Sequence, residues 1–234
     1  MRETRAVALT GAEVRTADDS PALTFTGHAA VFNQRTWIGP KDWGFWEEVD
    51  PRFFDDVLAD DARFLVNHDP NIVLARNGST MSLAVDERGL VVTADWDPAD
   101  PDAVKWAGRV KRGDVTQMSF AFTIAEEKWS EAEDGKELRT LLKAKNLYDS
   151  SLVTYPAYDG TDAAMREARA VADRHRAEVR TGQPPTIEDG LDSIAGAPVG
   201  DADLPTVDAV PVADHGDGKR RTLAHLGAVL HKHP

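Results

Sequence analysis

Short runs in which apolar and polar residues alternate recur through the first two thirds of the chain, and this pattern predicts β-strands. The clearest run covers residues 22–32, in which Gly27 marks a candidate bulge. The Asn-Gly pair at 77–78 and the Asp-Glu-Arg-Gly stretch at 86–89 separate neighbouring runs and are typical of hairpin turns. We predict further strands at residues 5–15, 63–67, 72–76, 81–85, 89–96, 113–122, 138–144 and 147–155.

A different periodicity, with apolar residues three and four positions apart, predicts helices. Residues 100–112 show it clearly, and Pro101 suits the first turn of a helix. A second helix is predicted over residues 161–180, with Thr161 as its N-cap and a weak apolar stripe. A short helix is predicted over residues 53–58.

Many short strands with regular turns favour a mainly β protein over a βαβ sheet. We predict a closed or partly closed antiparallel β-barrel ringed by helices, formed by residues 1–160. The 161–180 helix would pack on this barrel or extend from it. Residues 181–234 are acidic and rich in Pro and Gly, which predicts a disordered tail, and residues 220–233 would form a short basic amphipathic helix near its end.

Two loops interrupt the predicted strands. Residues 37–54 are dense in aromatic side chains, so we expect this loop to pack over the body of the protein or over a partner. Residues 126–136 are strongly charged, which predicts a solvated hairpin tip.

Composition narrows the classes of partner. The formal charge of −13 argues against a nucleic-acid partner and against an anionic membrane, because both require a basic face. The chain contains no cysteine, so a thiolate nucleophile and a cysteine-ligated zinc are both excluded. No apolar run approaches the roughly 20 residues of a membrane span, and we identify no signal peptide. Dinucleotide, phosphate-loop and zinc-protease motifs are absent, so no cofactor and no metal are predicted.

One hydroxyl residue lies inside the most apolar strand, residues 113–122 with the sequence GDVTQMSFAF. In an extended strand Met118 and Phe120 face one side, and Ser119 faces the other. A serine in such a strand is commonly a small residue that forms local hydrogen bonds. It becomes a candidate nucleophile only if a base and an orienting group converge on its hydroxyl.

Two further residues have the chemistry to complete such a group. His68 ends a predicted strand and has the near-neutral titration that suits a general base, although a surface turn explains it equally well. Asp149 lies within a strand, where a buried carboxylate needs a partner and an imidazole N–H would serve. An edge strand whose charge faces water remains the alternative for Asp149.

The order of several short motifs resembles the prohead protease family of tailed bacteriophages, of the Hong Kong 97 type. The resemblance extends from about residue 20 to about residue 165, and only the ordered set of motifs is specific. Its pieces are GHAAVFN at 27–33, NHD at 67–69, GL at 89–90, the strand at 113–122, RT at 139–140 and DSSLVTYPA at 149–157. This family is related in fold to the herpesvirus assemblins, so the resemblance implies a herpesvirus-protease-like barrel.

The resemblance also implies roles for the candidate residues. Ser119 matches the nucleophile of the family and His68 matches its general base. Asp149 occupies the position of the third member, where the family commonly has the longer Glu and the herpesvirus enzymes have His. His28 stands where a Tyr is usual and is a weak competitor for the role of base. Backbone amides near residues 156–157 are candidates for the oxyanion hole.

The implied function is that of a serine endopeptidase in phage procapsid maturation. Its substrate would be the major capsid protein or the scaffold domain of that protein, and self-cleavage is implied as well. The resemblance leaves the portal and a second copy of the chain open as further partners, and it places the enzyme inside the procapsid in the host cytoplasm. A non-catalytic capsid-assembly or scaffolding protein is the main alternative, and a β-barrel binding module that uses residues 37–54 is the other.

Overall fold

A computed structural model describes residues 1–9, 12–16, 23–155 and 162–182 of the chain. The helices in this part are α1 (Pro101–Arg112) and α2 (Asp162–Thr181). The strands in this part are β1 (Glu3–Ala8), β2 (Glu13–Thr16), β3 (Leu23–Val31), β4 (Thr36–Ile38), β5 (Phe45–Val49), β6 (Arg63–Val66), β7 (Asp69–Arg76), β8 (Met81–Val85), β9 (Gly89–Trp96), β10 (Gln117–Glu131) and β11 (Glu137–Leu152).

The described strands form two sheets, which confirms a mainly β protein. The larger sheet has the order β1-β10-β11-β5-β4, with β6 paired to β11 and β7 paired to β6, and the smaller has the order β2-β3-β9-β8. Neither sheet closes on itself within the described residues, and both β5 and β6 pair with β11 in parallel. Of the predicted closed or partly closed antiparallel barrel, the closed form is therefore not found among the described residues, and the antiparallel pairing is wrong for β5 and β6.

The β10–β11 hairpin explains this departure. Its register shifts at several points between Ala121 and Glu127, and such bulges bend and twist a strand pair. β11 therefore presents two separate stretches along its outer edge, residues 138–141 to β5 and residues 149–152 to β6. The sequence suggested two strands and a charged tip here, but the strands run on through the charged residues as far as Glu131.

Other predicted elements differ in detail. The single strand predicted over residues 5–15 is two strands, β1 and β2, in different sheets. The aromatic 37–54 segment contains most of β4 and all of β5. The prediction of a helix over residues 53–58 is wrong. There, the N–H groups of residues 53, 55, 57 and 60 each bond to the carbonyl three residues earlier, which gives a series of turns. The bulge in β3 falls at Ala29 rather than at Gly27.

Helix α1 forms as predicted. The Asp100 side chain accepts a hydrogen bond from the Asp102 N–H at its start, and Gly113 ends it in the left-handed conformation, at φ 77°. The predicted helix after the strands is present as α2. Neither described helix is long and apolar enough to cross a membrane. Thr161, residues 156–157, and residues 183–234 of the predicted 181–234 tail, with its terminal helix, lie outside the described residues. The division into domains therefore stays a prediction.

The core joins side chains from both sheets and fixes the orientation of β10. Phe25 and Trp96 from the smaller sheet meet Phe64 from the larger, with ring centroids 5.0–5.3 Å apart. Phe120 and Phe122 of β10 are buried in the same cluster. Burial of each such side chain stabilises the fold by roughly 1.5–3 kcal/mol. Since these rings occupy the core face, Ser119 must lie on the other face of β10, as the alternation predicted.

A cluster of buried charges ties β1 to the rest of the larger sheet. Arg139 of β11 is fully buried and donates to Glu3 at 2.7 Å and to Glu47 at 2.8 Å. Arg5 donates to the same two carboxylates. Burial alone raises the pKa of Glu3, but the Arg139 and Arg5 guanidiniums outweigh it and lower that pKa to about 2. We call these four residues the buried ion cluster.

Helix α2 lies against β4, β5 and the far end of the hairpin. Its Ala168, Val171 and Ala172 pack on Ile38 and Phe45. Two further contacts extend this packing. The imidazole of His175 stacks on the Trp129 ring with centroids 4.0 Å apart. Glu167 accepts hydrogen bonds from the Thr4 N–H and from Arg5. The helix therefore contacts the first strand as well as the hairpin.

Candidate active site

Strand β10 holds Ser119 between two neighbours. Ser119 pairs with Ala6 of β1 on one side and with Ser151 of β11 on the other. It is fully buried, and its hydroxyl lies on the face of the strand opposite the Phe cluster. A side chain in the middle of a three-strand ladder is held rigidly, which is the arrangement that a nucleophile requires.

The turn between β6 and β7 holds His68. Asn67 and His68 are its two central residues, and both have positive φ, at 51° and 58°, as in a type I′ hairpin turn. Asn and His tolerate this conformation better than most residues do. Because β6 runs alongside β11, the turn lies over the end of the strand that carries Asp149.

Asn67 fastens this turn to the end of β11. Its N–H donates to the Leu152 carbonyl at 2.8 Å, and its side-chain Oδ1 accepts from the Thr154 N–H at 2.9 Å. The two bonds fix the turn relative to the strand, and with it the position of the His68 ring.

The ring of His68 joins the other two candidates. Ser119 Oγ lies 2.8 Å from Nε2, and Asp149 Oδ1 lies 2.6 Å from Nδ1. An ionised carboxylate only accepts hydrogen bonds, so Nδ1 carries the proton and donates to Asp149. In the neutral ring Nε2 is then free to accept from the Ser119 hydroxyl. This tautomer is the one that general-base catalysis by His68 needs.

Asp149 is buried, with 1% of its surface exposed, yet both carboxylate oxygens have partners. Oδ1 accepts from His68 and also from Ser151 Oγ at 2.7 Å. Oδ2 accepts from the guanidinium of Arg2. A buried carboxylate without such donors would be strongly disfavoured, so these contacts make a charged Asp149 possible at this depth.

All three residues that the sequence singled out therefore meet, although 51 positions separate His68 from Ser119 and 81 separate it from Asp149. Their catalytic roles stay predictions. His28 is not part of the group, because its Nε2 lies 2.9 Å from Asp86 in the turn before β9. Among the described residues, no group of His, Cys, Asp or Glu could hold a metal ion.

Three supporting residues were missed from the sequence. Ser151 had a usable signal, because it lies two positions after Asp149 and therefore on the same face of the strand. Asn67 directly precedes His68 and is the residue type expected where φ is positive. Arg2 had no signal, because the pairing of β1 with β10 is not apparent from either segment alone.

Replacement of Asn67 by alanine should slow catalysis. The change removes the side-chain bond to Thr154 and puts a less tolerant residue in a left-handed conformation. We expect kcat to fall about 10-fold and the free energy of unfolding to fall by about 1–2 kcal/mol. Peptide hydrolysis and urea unfolding measure the two effects.

Two further variants separate strain from positioning. Asn33 also has positive φ, at 55°, but lies in the turn after β3, so Asn33→Ala should lower stability similarly and leave kcat unchanged. Asn67→Gly relieves the strain without restoring the bond, so its kcat should stay low. Full activity in Asn67→Gly would show that the Thr154 bond does not position His68.

The sequence of this chain is similar to those of known phage proteases. The sequence profile described as caudovirus prohead serine protease matches residues 10–175. The prohead protease of Enterobacteria phage HK97 is 26% identical over 163 residues, which cover 68% of this chain and 67% of that protein. Among solved structures, the bacteriophage T4 capsid assembly protease aligns with a TM-score of 0.39 and 11% identity, over 64% of this chain and 96% of that chain.

The profile match covers well over half of the chain, and residues 68, 119 and 149 all fall within it. The matched range thus contains every described strand except β1, including the strands that bring the His68 ring to Ser119. We conclude that the chain is a serine protease and belongs to the caudovirus prohead serine protease family.

Proposed function

We propose that Ser119, His68 and Asp149 are the catalytic triad of an endopeptidase that cleaves the capsid protein during procapsid maturation. The observation that carries this proposal is the His68 ring, which is within hydrogen-bond distance of both Ser119 and Asp149 through its two nitrogens. Nucleophile, base and orienting group in this order are the mark of an activated serine.

The first half of the reaction forms an acyl-enzyme. Nε2 of His68 takes the hydroxyl proton as Ser119 Oγ attacks the carbonyl carbon of the scissile bond. The tetrahedral intermediate collapses when the imidazolium gives that proton to the leaving nitrogen, and the C–N bond breaks. Water then attacks the ester with His68 again as the base, which releases the acid and restores the Ser119 hydroxyl.

Asp149 supports each of these proton transfers. Its carboxylate holds the proton on Nδ1, so that Nε2 is always the nitrogen facing Ser119. It also stabilises the imidazolium that forms in both halves of the reaction. The longer Glu common at this position in the family is not needed here, because the Asp149 carboxylate already lies 2.6 Å from the ring.

The intermediate also requires donors for its oxyanion, each worth about 3 kcal/mol. Backbone amides near residues 156–157 stay our candidates, and they lie outside the described residues. We also keep the relationship in fold to the herpesvirus assemblins as a proposal.

The proposed substrate is the major capsid protein or its scaffold domain, cleaved inside the procapsid in the host cytoplasm. Membership of a prohead protease family supports this assignment. We further propose that the chain cleaves itself, since its acidic Pro- and Gly-rich residues 181–234 have the composition of an accessible, disordered segment. The portal and a second copy of the chain are proposed as additional partners.

Co-expression with the major capsid protein encoded beside this chain tests the proposal. With the wild-type protease, the intact mass of the capsid protein should fall to that of a defined fragment, and the mass of the protease itself reports self-cleavage. His68→Ala should leave both proteins at full length, because Ser119 then lacks a base. His28→Ala, a change at a histidine outside the site, should cleave as the wild type does.

One result would favour the main alternative. If assembled particles, seen by electron microscopy, contain full-length capsid protein with both the wild type and His68→Ala, the chain acts as a non-catalytic assembly protein. The intact masses then rule out the proteolytic role in this assembly directly.

A further inference from the structure

Arg2 contacts the carboxylate of Asp149 from the side opposite His68. Its guanidinium donates to Oδ2, while Oδ1 accepts from His68 and Ser151. The same guanidinium lies over the Tyr148 ring, 5.0 Å from its centroid. The Arg2 side chain is 49% exposed and Asp149 is 1% exposed, so Arg2 separates the buried carboxylate from solvent.

The pairing of β1 with β10 delivers Arg2 to this place. Thr4 of β1 is opposite Ala121, which in turn is opposite Asp149 across the next pair of strands. Residues two apart on a strand share a face. Arg2 therefore lies on the same face as Thr4 and Ala6, which is the face on which Ser119 presents its hydroxyl.

The buried ion cluster fixes the register of that pairing. Glu3 and Arg5 alternate with Arg2 and Thr4, and both are buried against Arg139 and Glu47. A shift of β1 by one residue would exchange its two faces and leave these charges unpaired in the core, which is strongly unfavourable. The contact between Arg2 and Asp149 thus rests on interactions in the interior of the protein as well as on an exposed ion pair.

We propose that Arg2 is a positioning residue for the proteolytic reaction, which holds the Asp149 carboxylate with Oδ1 towards His68. This inference rests on the proposed triad. Without a donor at Oδ2, the carboxylate is free to rotate about χ2 and to take water as a partner, and its alignment with Nδ1 weakens. Arg2 touches neither the substrate nor the reacting atoms, and it acts through Asp149.

Arg2 also has an electrostatic effect with a definite sign. Its positive charge opposes the imidazolium that forms on His68 and partly offsets the negative charge of Asp149. Removal of the guanidinium should therefore favour the imidazolium, and the acid limb of the kcat/KM profile should move to higher pH. Because Arg2 is half exposed, solvent screens its charge, and the shift should be smaller than a buried arginine would produce.

Kinetics of Arg2→Ala and Arg2→Lys test the proposal, with a peptide that spans the cleavage site of the capsid protein. In Arg2→Ala, kcat should fall about 5- to 30-fold with KM within about twofold, and the acid limb should shift as above. Arg2→Lys keeps the charge but has no planar fork, so it should restore the pH profile and only part of kcat. Arg52→Ala removes another exposed arginine, which is paired with Asp50, and should change neither kcat nor the acid limb of the pH profile.

A spectroscopic measurement reports the contact without any proteolysis. The Nδ1 proton of His68 should give a downfield ¹H resonance that is absent in His68→Ala. In Arg2→Ala this resonance should shift or broaden, because the carboxylate that holds the proton has lost its second partner.

Two results would overturn the inference. One is an Arg2→Ala enzyme with wild-type kcat, acid limb and Nδ1 resonance. The other is an enzyme whose activity falls only in step with its melting temperature, with the acid limb unmoved, because that result assigns Arg2 to stability alone. If the wild type itself cleaves no more than Ser119→Ala, the proposed function fails instead, and the resonance still shows whether Arg2 holds Asp149.

Discussion

The Ser119→Ala variant should lose nearly all proteolytic activity, with kcat/KM lower by a factor of about 10⁴–10⁶. The change removes the atom that attacks the carbonyl, and no cysteine is present in the chain to replace it. Only substrate binding and oxyanion stabilisation would remain. Hydrolysis of the cleavage-site peptide by purified proteins measures the loss.

Folding should be almost unaffected by this change. Ser119 is buried, but alanine is smaller by a single oxygen, and the hydrogen bond to His68 Nε2 is worth only about 1 kcal/mol. The melting temperature of Ser119→Ala should therefore stay within a few degrees of the wild-type value. A low activity with an intact fold separates catalysis from stability.

Two neighbouring serines of β11 provide matched controls. Ser150 is buried on the opposite face, and among the described residues its hydroxyl has no hydrogen-bond partner, so Ser150→Ala should be fully active. Ser151→Ala loses a hydrogen-bond donor to Asp149, so its kcat should fall about 10-fold. If Ser119→Ala retained as much activity as Ser150→Ala, the nucleophile would have to lie elsewhere.

Replacement of Arg139 by methionine should destabilise the protein by about 3–5 kcal/mol. Arg139 is fully buried and pairs with Glu3, Glu47 and Glu127. Burial lowers its pKa, but Glu3 and Glu47 raise that pKa by more, so the guanidinium stays charged. Methionine fills a similar volume but leaves the carboxylates without their principal partner. Urea unfolding at pH 7 measures the change.

The pH dependence of that loss follows from Glu3. Its folded-state pKa is depressed from 4.5 to about 2, so its contribution in the wild type is complete above about pH 4.5 and disappears as the pH falls towards 2. In Arg139→Met, Glu3 keeps Arg5 but loses Arg139, so burial favours its protonation more strongly and the variant loses less stability on acidification. The difference in free energy of unfolding between the wild type and Arg139→Met should therefore narrow below about pH 4.5.

An exposed pair serves as the comparison for Arg139. Arg76 contacts Asp61 at the surface, and its replacement by methionine should lower the free energy of unfolding far less than Arg139→Met does, because solvent screens an exposed ion pair. Equal losses in Arg76→Met and Arg139→Met would mean that the buried ion cluster contributes no more than a surface contact does.

The sequence predicted the candidate triad because each member left a local trace. Ser119 stands out as a hydroxyl opposite an apolar strand face, His68 ends a strand, and Asp149 is a charge within one. The family resemblance then joined them into one group. What the sequence could not supply were contacts that depend on strand pairing over long separations, such as Arg2 with Asp149 or Glu3 with Arg139.

The error in the fold has a related cause. Alternation identifies strands, but it does not identify which strand pairs with which, or in which direction. The parallel pairing of β5 and β6 along one edge of β11 follows from bulges near Phe122 and Glu126, and these residues look like ordinary strand positions in the sequence. The charged residues of β10 near Glu131 looked like a loop because their side chains face solvent.

Strand β11 is shared by every part of the candidate site. It carries Asp149 and Ser151, it pairs with the strand of Ser119, and it pairs with the strand that leads into His68. A local opening that displaces one member must therefore break the central ladder of the larger sheet, and such an opening costs nearly as much as unfolding the whole sheet. On heating or in denaturant, the enzyme should accordingly stay fully active until the whole molecule unfolds. Loss of activity and global unfolding should therefore have the same midpoint.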